Sequence, residues 1–282
     1  MEDNECAPLR TFVAGSHYRG LVQAIDSVHL RRCVLAVSVL TDLDVEPSAG
    51  GVVLPGVHPA CVPWAAIAAC AGDQAADSPR ARHRVEVLLR LHRLVAQLGS
   101  SAAATVHAAS RLMALPRDHW HHLGDAWALQ RLAGGTLDLG IGVYGVVGEP
   151  DRVLPLPPSV LEALGVDPAA WWDRLHEHAD RMGALAAARL GRDGMSGVIR
   201  PVGGCDVLAL LSSRSLRRHL ASSDGSGMRS LAVPTRRRGW YDLHSVDPAF
   251  VSAAWSLTDE PERGLGMPLL VTADEVCTPV QF

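Results

Sequence analysis

Lysine is absent from this 282-residue chain, and asparagine occurs once, at Asn4. Without lysine, the chain has no Schiff-base amine for pyridoxal phosphate and no P-loop lysine for nucleotide phosphates. All 26 basic residues are therefore arginines, and 30 acidic residues give a formal net charge of -4. This balance creates no broad positive field, which disfavours binding to nucleic acid or to an anionic membrane.

Long apolar runs and paired cysteine motifs are also missing. The sequence has no uncharged apolar stretch of about 18 residues or more, and its N-terminal segment is acidic. Six cysteines, at positions 6, 33, 61, 70, 205 and 277, form no C-x-x-C pair. We therefore expect a soluble cytoplasmic protein with no membrane segment, whose thiols are reduced and mostly buried.

The hydrophobic pattern predicts a mainly α-helical single domain over residues 1–282, with minor β segments chiefly in the C-terminal half. Apolar residues recur at helical spacing in eight segments, namely 17–32, 63–70, 78–99, 101–114, 117–133, 158–192, 206–221 and 248–257. The longest of these segments, 158–192, is expected in two pieces, divided near Gly165 and Pro168. Segments 33–40 and 136–147 instead favour strands.

Histidine is the residue type that stands out, because 13 histidines accompany seven tryptophans, while tyrosine and phenylalanine number three each. Imidazole titrates near neutrality and binds metals and haem iron. In the predicted helix that starts at Ala169, Trp172 precedes His176 by one turn, and a glycine-rich loop follows the helix. Such an arrangement would suit a haem pocket, in which the histidine points inward to the iron, the tryptophan packs on the macrocycle and the glycine-rich backbone approaches it closely.

These residues resemble the proximal-ligand signature of the haem-dependent aromatic oxygenase superfamily, typified by tryptophan 2,3-dioxygenase. Trp172, His176, Arg181-Met182-Gly183 and Gly194-Met195-Ser196-Gly197 stand in the order of that signature. The similarity is confined to Trp172–Gly197, and the loop differs from that of the dioxygenase. The chain therefore looks more like a distant branch, such as the bacterial haem-dependent tyrosine hydroxylases.

The resemblance implies b-type haem with His176 as the iron ligand and with Trp172, Arg181, Ser196 and Gly197 around the cofactor. It further implies an enzyme of bacterial secondary metabolism that hydroxylates an aromatic amino acid such as tyrosine with O2 or H2O2, as a monooxygenase or a peroxygenase. Related enzymes are commonly oligomers, so a homo-oligomer is also expected.

Two further groups complete this hypothetical site. His58 is the candidate distal acid or base that would hydrogen-bond the substrate or the iron-bound oxygen. Arg236 and Arg238 are the candidate binding residues for a substrate carboxylate, because an arginine guanidinium forms two parallel hydrogen bonds with a planar oxyanion. The simpler interpretation is that these arginines lie in a charged, solvent-exposed turn.

Carboxylate and histidine side chains also stand three residues apart in several places. These pairs are Asp118 with His121, His122 with Asp125, and Asp173 with His176. On facing helices such pairs would be typical of a di-iron bundle, although such sites use mainly glutamate and need further bridging carboxylates.

Two other classes of function stay open. Cys61 at a helix start, with His244 and Asp247 as base and orienting group, would suit a papain-like hydrolase. Alternatively, the chain is a non-enzymatic α/β binding or structural protein in which the histidines are ordinary packed or solvated residues.

Overall fold

A computed structural model describes residues 27–72, 78–145, 153–193, 197–223, 225–241 and 246–278. The chain divides into two compact units. The first unit comprises the described residues of Met1–Thr105 and Pro157–Gly165, and the second comprises those of Val106–Leu156 and Val166–Phe282. Across the described ranges, every helix is too short or too polar to cross a membrane.

The fold is mixed α/β, so the prediction of a mainly α-helical chain is wrong. Helices account for 48% of the structure and strands for 23%, and the strands form three antiparallel sheets. Most of these strands are too short to show an alternating pattern. The eight-residue strand Leu137–Tyr144 is buried on both faces, and it confirms the strand predicted over 136–147.

The first unit is a small sheet combined with helices. Its elements are α1 (Ser27–Thr41), β1 (Glu46–Pro47), β2 (Gly51–Leu54), β3 (Ala60–Pro63), α2 (Trp64–Ala71), α3 (Pro79–Leu98) and α5 (Pro158–Ala163), while α4 (Ala102–Ala109) spans the boundary between the units. The three strands pair in chain order as an antiparallel meander. Helices α1, α2 and α5 all pack on α3, which therefore forms the centre of this unit.

Helix α1 contradicts the strand predicted for residues 33–40. Leu30, Cys33, Val34 and Val37 are buried at spacings of three, four and seven residues, so this stripe forms the packed face of a helix. The opposite face carries apolar residues too, including Val39 at 85% exposure. Apolar residues on both faces concealed the helical period in the sequence.

The predicted helix over 78–99 is confirmed, and its ends have clear local causes. The Ser78 side chain accepts a hydrogen bond from the Ala81 amide at 3.1 Å, and Pro79 occupies the first helical position. Gly99 follows the last residue with a φ of 52°, a backbone conformation that favours glycine.

The second unit contains two sheets and the longest helix. Its elements are β4 (Ser110–Pro116), β5 (Gln130–Leu132), β6 (Leu137–Tyr144), β7 (Val153–Pro155), α6 (Pro168–Asp193), β8 (Val198–Ile199), α7 (Val207–Leu210), α8 (Arg214–Ser222), β9 (Met228–Thr235), β10 (Arg238–Trp240), α9 (Pro248–Ser256), β11 (Leu269–Thr272) and β12 (Val276–Cys277). Strand β6 is central in one sheet, with β4 on one side and β5 and β7 on the other. The other sheet has the order β12-β11-β9-β10-β8. Helix α6 packs on β4, α7 and α8.

The region 101–133 departs most from the predicted helices. Helix α4 ends at Ala109, β4 follows it, and residues 117–129 form a loop of turns. Trp127 fastens this loop to β6, because its indole Nε1 donates to the Ile141 carbonyl at 2.9 Å and its ring occupies the space beside Gly140. Any side chain at Gly140 would collide with that ring, so tertiary contacts decide the local structure here.

Candidate functional site

A tight glycine turn forms one wall of the candidate site in the second unit. Val202 and Cys205 exchange two backbone hydrogen bonds of 3.0 and 2.9 Å around Gly203 and Gly204. The two glycines have φ angles of 58° and 80°, which a two-residue hairpin turn of this kind requires and which glycine adopts at little cost. Gly204 also packs closely on Tyr144, where an added Cβ would lie 3.2 Å from the ring.

Two side chains from outside the turn hold it in place. The Gly203 carbonyl accepts hydrogen bonds from Arg111 Nε and from His178 Nε2, each at 3.2 Å. The Arg111 guanidinium also lies 5.8 Å from the centre of the Tyr144 ring, which gives a cation–π contact. The turn is therefore fixed by β4, β6 and α6 together.

His178 donates to the turn in its neutral form. Burial is the main cause that lowers the pKa of His178, and the nearby Arg111, Arg181 and Arg174 lower it further, while the Gly203 hydrogen bond acts in the opposite direction. Neutral imidazole keeps one N–H, and the contact with a carbonyl places that proton on Nε2.

A cavity of about 490 Å³ opens beside this turn. Its charged lining consists of four arginines and two carboxylates, Arg200, Arg236, Arg237, Arg238, Asp206 and Glu262. The volume lies within the range of pockets that hold small organic molecules. Four guanidiniums against two carboxylates leave two positive charges, so the wall of this cavity is basic although the whole chain is acidic.

Two of these arginines are neutralised by carboxylates. Arg236 is 8% exposed and donates through Nε to Asp206 Oδ2 at 2.7 Å, and Asp206 also caps α7 through the Ala209 amide. Arg237 forms a two-pronged pair with Glu262, with N–O distances of 2.9 and 3.1 Å. These pairs shape the wall of the cavity and hold the segment between β9 and β10.

The other two arginines flank a pair of residues on neighbouring strands. Strands β8 and β10 are antiparallel, with Ile199 opposite Gly239; Arg200 directly follows Ile199, and Arg238 directly precedes Gly239. Both side chains are exposed and line the cavity, and within the described ranges neither has an acidic partner. Like charges on neighbouring strands repel each other and are destabilising.

The residues predicted to surround haem lie elsewhere in the second unit. The rings of Trp172 and His176 are in edge-to-face contact on α6, with centroids 4.6 Å apart, and Trp172 packs against the hydrophobic core. Arg181 is exposed on the same helix, and Gly197 accepts a backbone hydrogen bond from Tyr241 at 3.0 Å. Ser196 lies outside the described residues. Trp172, His176 and Arg181 do not line the cavity beside the glycine turn.

The surroundings of His176 do not fit a haem in this arrangement. Its Nε2 atom is closed to solvent and has no hydrogen-bond partner within the described residues. Burial is the main cause that lowers the pKa of His176; Asp173 raises it and Arg217 lowers it. A neutral imidazole suits an iron ligand, but iron requires open space at that nitrogen, and Nε2 is closed to solvent. Haem ligation by His176 stays a prediction.

His58 and Cys61 both lie in the first unit. His58 is exposed in the loop between β2 and β3 and belongs to the first unit, whereas His176 belongs to the second. Cys61 lies in strand β3 rather than at a helix start, so the helix-dipole argument for a reactive thiolate does not apply. Its proposed partner His244 lies outside the described residues, and Asp247 caps helix α9 by accepting from the Ala249 amide.

The histidine group at 119–122 lies in a loop, which removes the helix faces that a di-iron bundle needs. His119 Nδ1 accepts from the His121 amide at 3.1 Å, and His122 binds the buried Asp138 carboxylate. These contacts stabilise the loop, and His121 also lines the cavity. Among the described residues, no three histidine, cysteine or acidic side chains converge in a way that could hold a metal ion.

Comparison with known proteins adds no relative. No protein-family model matches this chain, no curated protein matches it, and no solved structure matches it.

The sequence identified Arg236 and Arg238 but missed Arg200, Arg111 and His178. The sequence did contain a signal for the glycine turn, because Gly203-Gly204 between two short apolar segments is typical of a hairpin.

Proposed function

We propose that this protein binds a small organic anion, a carboxylate or a phosphate, in the arginine-lined cavity of its second unit. The observation that carries this proposal is that Arg200, which follows β8, and Arg238, on the neighbouring strand β10, both line a cavity of about 490 Å³ without acidic partners in the described residues. Two adjacent guanidiniums repel each other in water, and an anion between them turns that cost into two charge-assisted interactions.

The rest of the wall suits a binding site that is already formed. The glycine turn is held from outside by Arg111 and His178, so its backbone needs no reorganisation when a ligand enters. Asp206 and Glu262 keep the neighbouring Arg236 and Arg237 in fixed positions. The charged groups of the site are therefore positioned before a ligand is bound.

The proposal is one of binding rather than of covalent catalysis. Cys205 lines the cavity, but burial raises the pKa of its thiol to about 12, so the thiol stays protonated near neutrality and is a poor nucleophile. Of the arginines predicted to grip a carboxylate, Arg236 is occupied by Asp206, which makes Arg200 the partner of Arg238 instead. We also propose a cytoplasmic location, supported by the free thiols of Cys70, Cys205 and Cys277.

Calorimetric titration of the full chain with benzoate and with phenyl phosphate tests this function. We expect at least one of them to bind, and we expect the affinity to fall by about tenfold or more in Arg238→Gln, because a charge-assisted pair is lost. Arg218→Gln is the matched control, since Arg218 is exposed on α8 and does not line the cavity. Binding that persists unchanged in an Arg200→Gln, Arg238→Gln double variant would contradict the proposal.

A further inference from the structure

We infer that the site selects a phosphate monoester dianion over singly charged anions, an inference that rests on the proposed anion-binding function. Asp206 and Glu262 each neutralise one arginine of the lining, and the positive charges of Arg200 and Arg238 remain. A ligand with two negative charges balances this pair completely. A carboxylate or a sulfonate leaves one guanidinium uncompensated beside the other.

The geometry of the two arginines favours a tetrahedral anion with three terminal oxygens. Each guanidinium presents parallel N–H donors that bind two oxygens at once. The two oxygens of a carboxylate satisfy one such fork, whereas the three oxygens of a phosphate monoester can be shared between two forks. Arg200 and Arg238 offer two forks to the same cavity, because they follow and precede the paired residues Ile199 and Gly239 of the neighbouring strands β8 and β10.

The glycine turn adds donors to the same wall. Gly203 and Gly204 line the cavity, and within the described residues their amides donate no hydrogen bond. Successive amides in a turn form a concave group of donors that is suited to anions. Phosphate oxygens are strong acceptors for such groups, so the turn reinforces the preference set by the arginines.

The ligand carries an organic body as well as a phosphate. The cavity is also lined by apolar or aromatic side chains, Tyr144, Val153, Pro201 and Pro261, which offer nothing to a free phosphate ion. A volume of about 490 Å³ also exceeds what a single inorganic anion fills. The favoured class is therefore a small phosphate monoester whose apolar part contacts these residues.

Calorimetry with four probes on the full chain tests this inference. Phenyl phosphate and benzenesulfonate share a ring and a three-oxygen tetrahedral head and differ in charge, while benzoate has a planar head and inorganic phosphate has no organic body. We expect phenyl phosphate to bind about tenfold or more tightly than each of the other three. Arg200→Gln and Arg238→Gln should each remove its advantage over benzenesulfonate, and Arg218→Gln should preserve it.

The outcomes separate the inference from the function on which it rests. Equal affinities for phenyl phosphate, benzenesulfonate and benzoate, all lost in the double arginine variant, would overturn the dianion preference and leave an anion site. Inorganic phosphate binding as tightly as the ester would overturn the requirement for an organic body. Failure of all four probes would overturn the proposed function itself. Both arginines are exposed, and a urea unfolding curve for each variant verifies that it is folded.

Discussion

His122 Nε2 lies 3.0 Å from the carboxylate of Asp138, a side chain that is completely buried in β6. The Gly124 amide donates to Nδ1 of the same ring at 3.0 Å, which places the imidazole proton on Nε2 and makes His122 the donor. Arg117 Nε also approaches this carboxylate, at 3.3 Å. The pair therefore ties the 117–129 loop to the sheet through a buried charge.

We expect His122→Ala to lower the free energy of unfolding by about 2–3 kcal/mol, because the buried Asp138 carboxylate loses a hydrogen bond that water cannot replace. Urea unfolding measures this effect. Asp118→Ala is the control, since Asp118 is exposed in the same loop and should change stability by less than about 0.5 kcal/mol. Similar losses in the two variants would show that the loop contributes little through this pair.

Gly204 and Gly225 distinguish two ways in which replacing glycine lowers stability, namely an unfavourable backbone conformation and a steric clash. Their φ angles are 80° and 75°, but an added Cβ meets Tyr144 and Arg111 at 3.2–3.3 Å at Gly204 and open space at Gly225. We expect Gly225→Ala to cost about 1 kcal/mol for the backbone conformation alone. Gly204→Ala should cost about 1–2 kcal/mol more and weaken binding of phenyl phosphate. Equal costs, measured by urea unfolding, would mean that the turn is not packed tightly against Tyr144.

His92 should make the protein less stable in acid. It is 6% exposed between α3 and α5, and burial lowers its pKa to about 4 from 6.5. Because the unfolded chain binds the proton more readily, this stability is present above pH 6.5 and is lost as the pH falls towards 4. The loss between pH 7 and pH 5 is about 2 kcal/mol for this group.

Urea unfolding at the two pH values measures the contribution of His92, and His92→Gln should reduce the difference between them. Ser159→Ala removes the hydroxyl that lies 3.3 Å from His92 Nε2 but leaves the ring buried, so the pH dependence should persist. If the stability of the wild type changed between the two pH values only as much as that of His92→Gln, the pKa of His92 would not be depressed.

The haem hypothesis is tested by titrating the protein with hemin and recording its absorption spectrum. His176 Nε2 is enclosed beside Trp172, so we expect wild type and His176→Ala to give the same spectrum. A Soret band that is present in the wild type and absent from the variant would establish His176 as the ligand. That result would also require the side chains around Nε2 to move aside.

Long helices with clear end signals could be predicted from the sequence, and α3 shows why. Ser78, Pro79 and Gly99 define its ends through short-range effects that depend on neighbouring residues alone. Helix α1 was missed because its exposed face is apolar as well as its buried face. Strand β6 confirms the strand predicted over 136–147, whereas β4 lies in a segment predicted as helix, because burial on both faces leaves no alternation to detect.

The candidate site was only partly visible in the sequence for a different reason. The run of arginines pointed to Arg236 and Arg238, but Arg200 and Glu262 are far from them along the chain. Arg200 reaches the cavity because β8 pairs with β10. Glu262, which comes after helix α9, reaches it through its ion pair with Arg237. Pairing of strands only two or three residues long depends on the tertiary fold, and a single sequence contains little information about it.

The segment Pro157–Gly165, which carries α5, belongs to the first unit although it follows β4 to β7 of the second. During translation, the first unit therefore lacks its last helix until residues 106–156 of the second unit have left the ribosome. Truncation after Thr105 would likewise remove the partner that buries part of α3, including the hydroxyl beside His92. The first unit is thus an interrupted stretch of chain that no single contiguous fragment reproduces without also carrying residues 106–156.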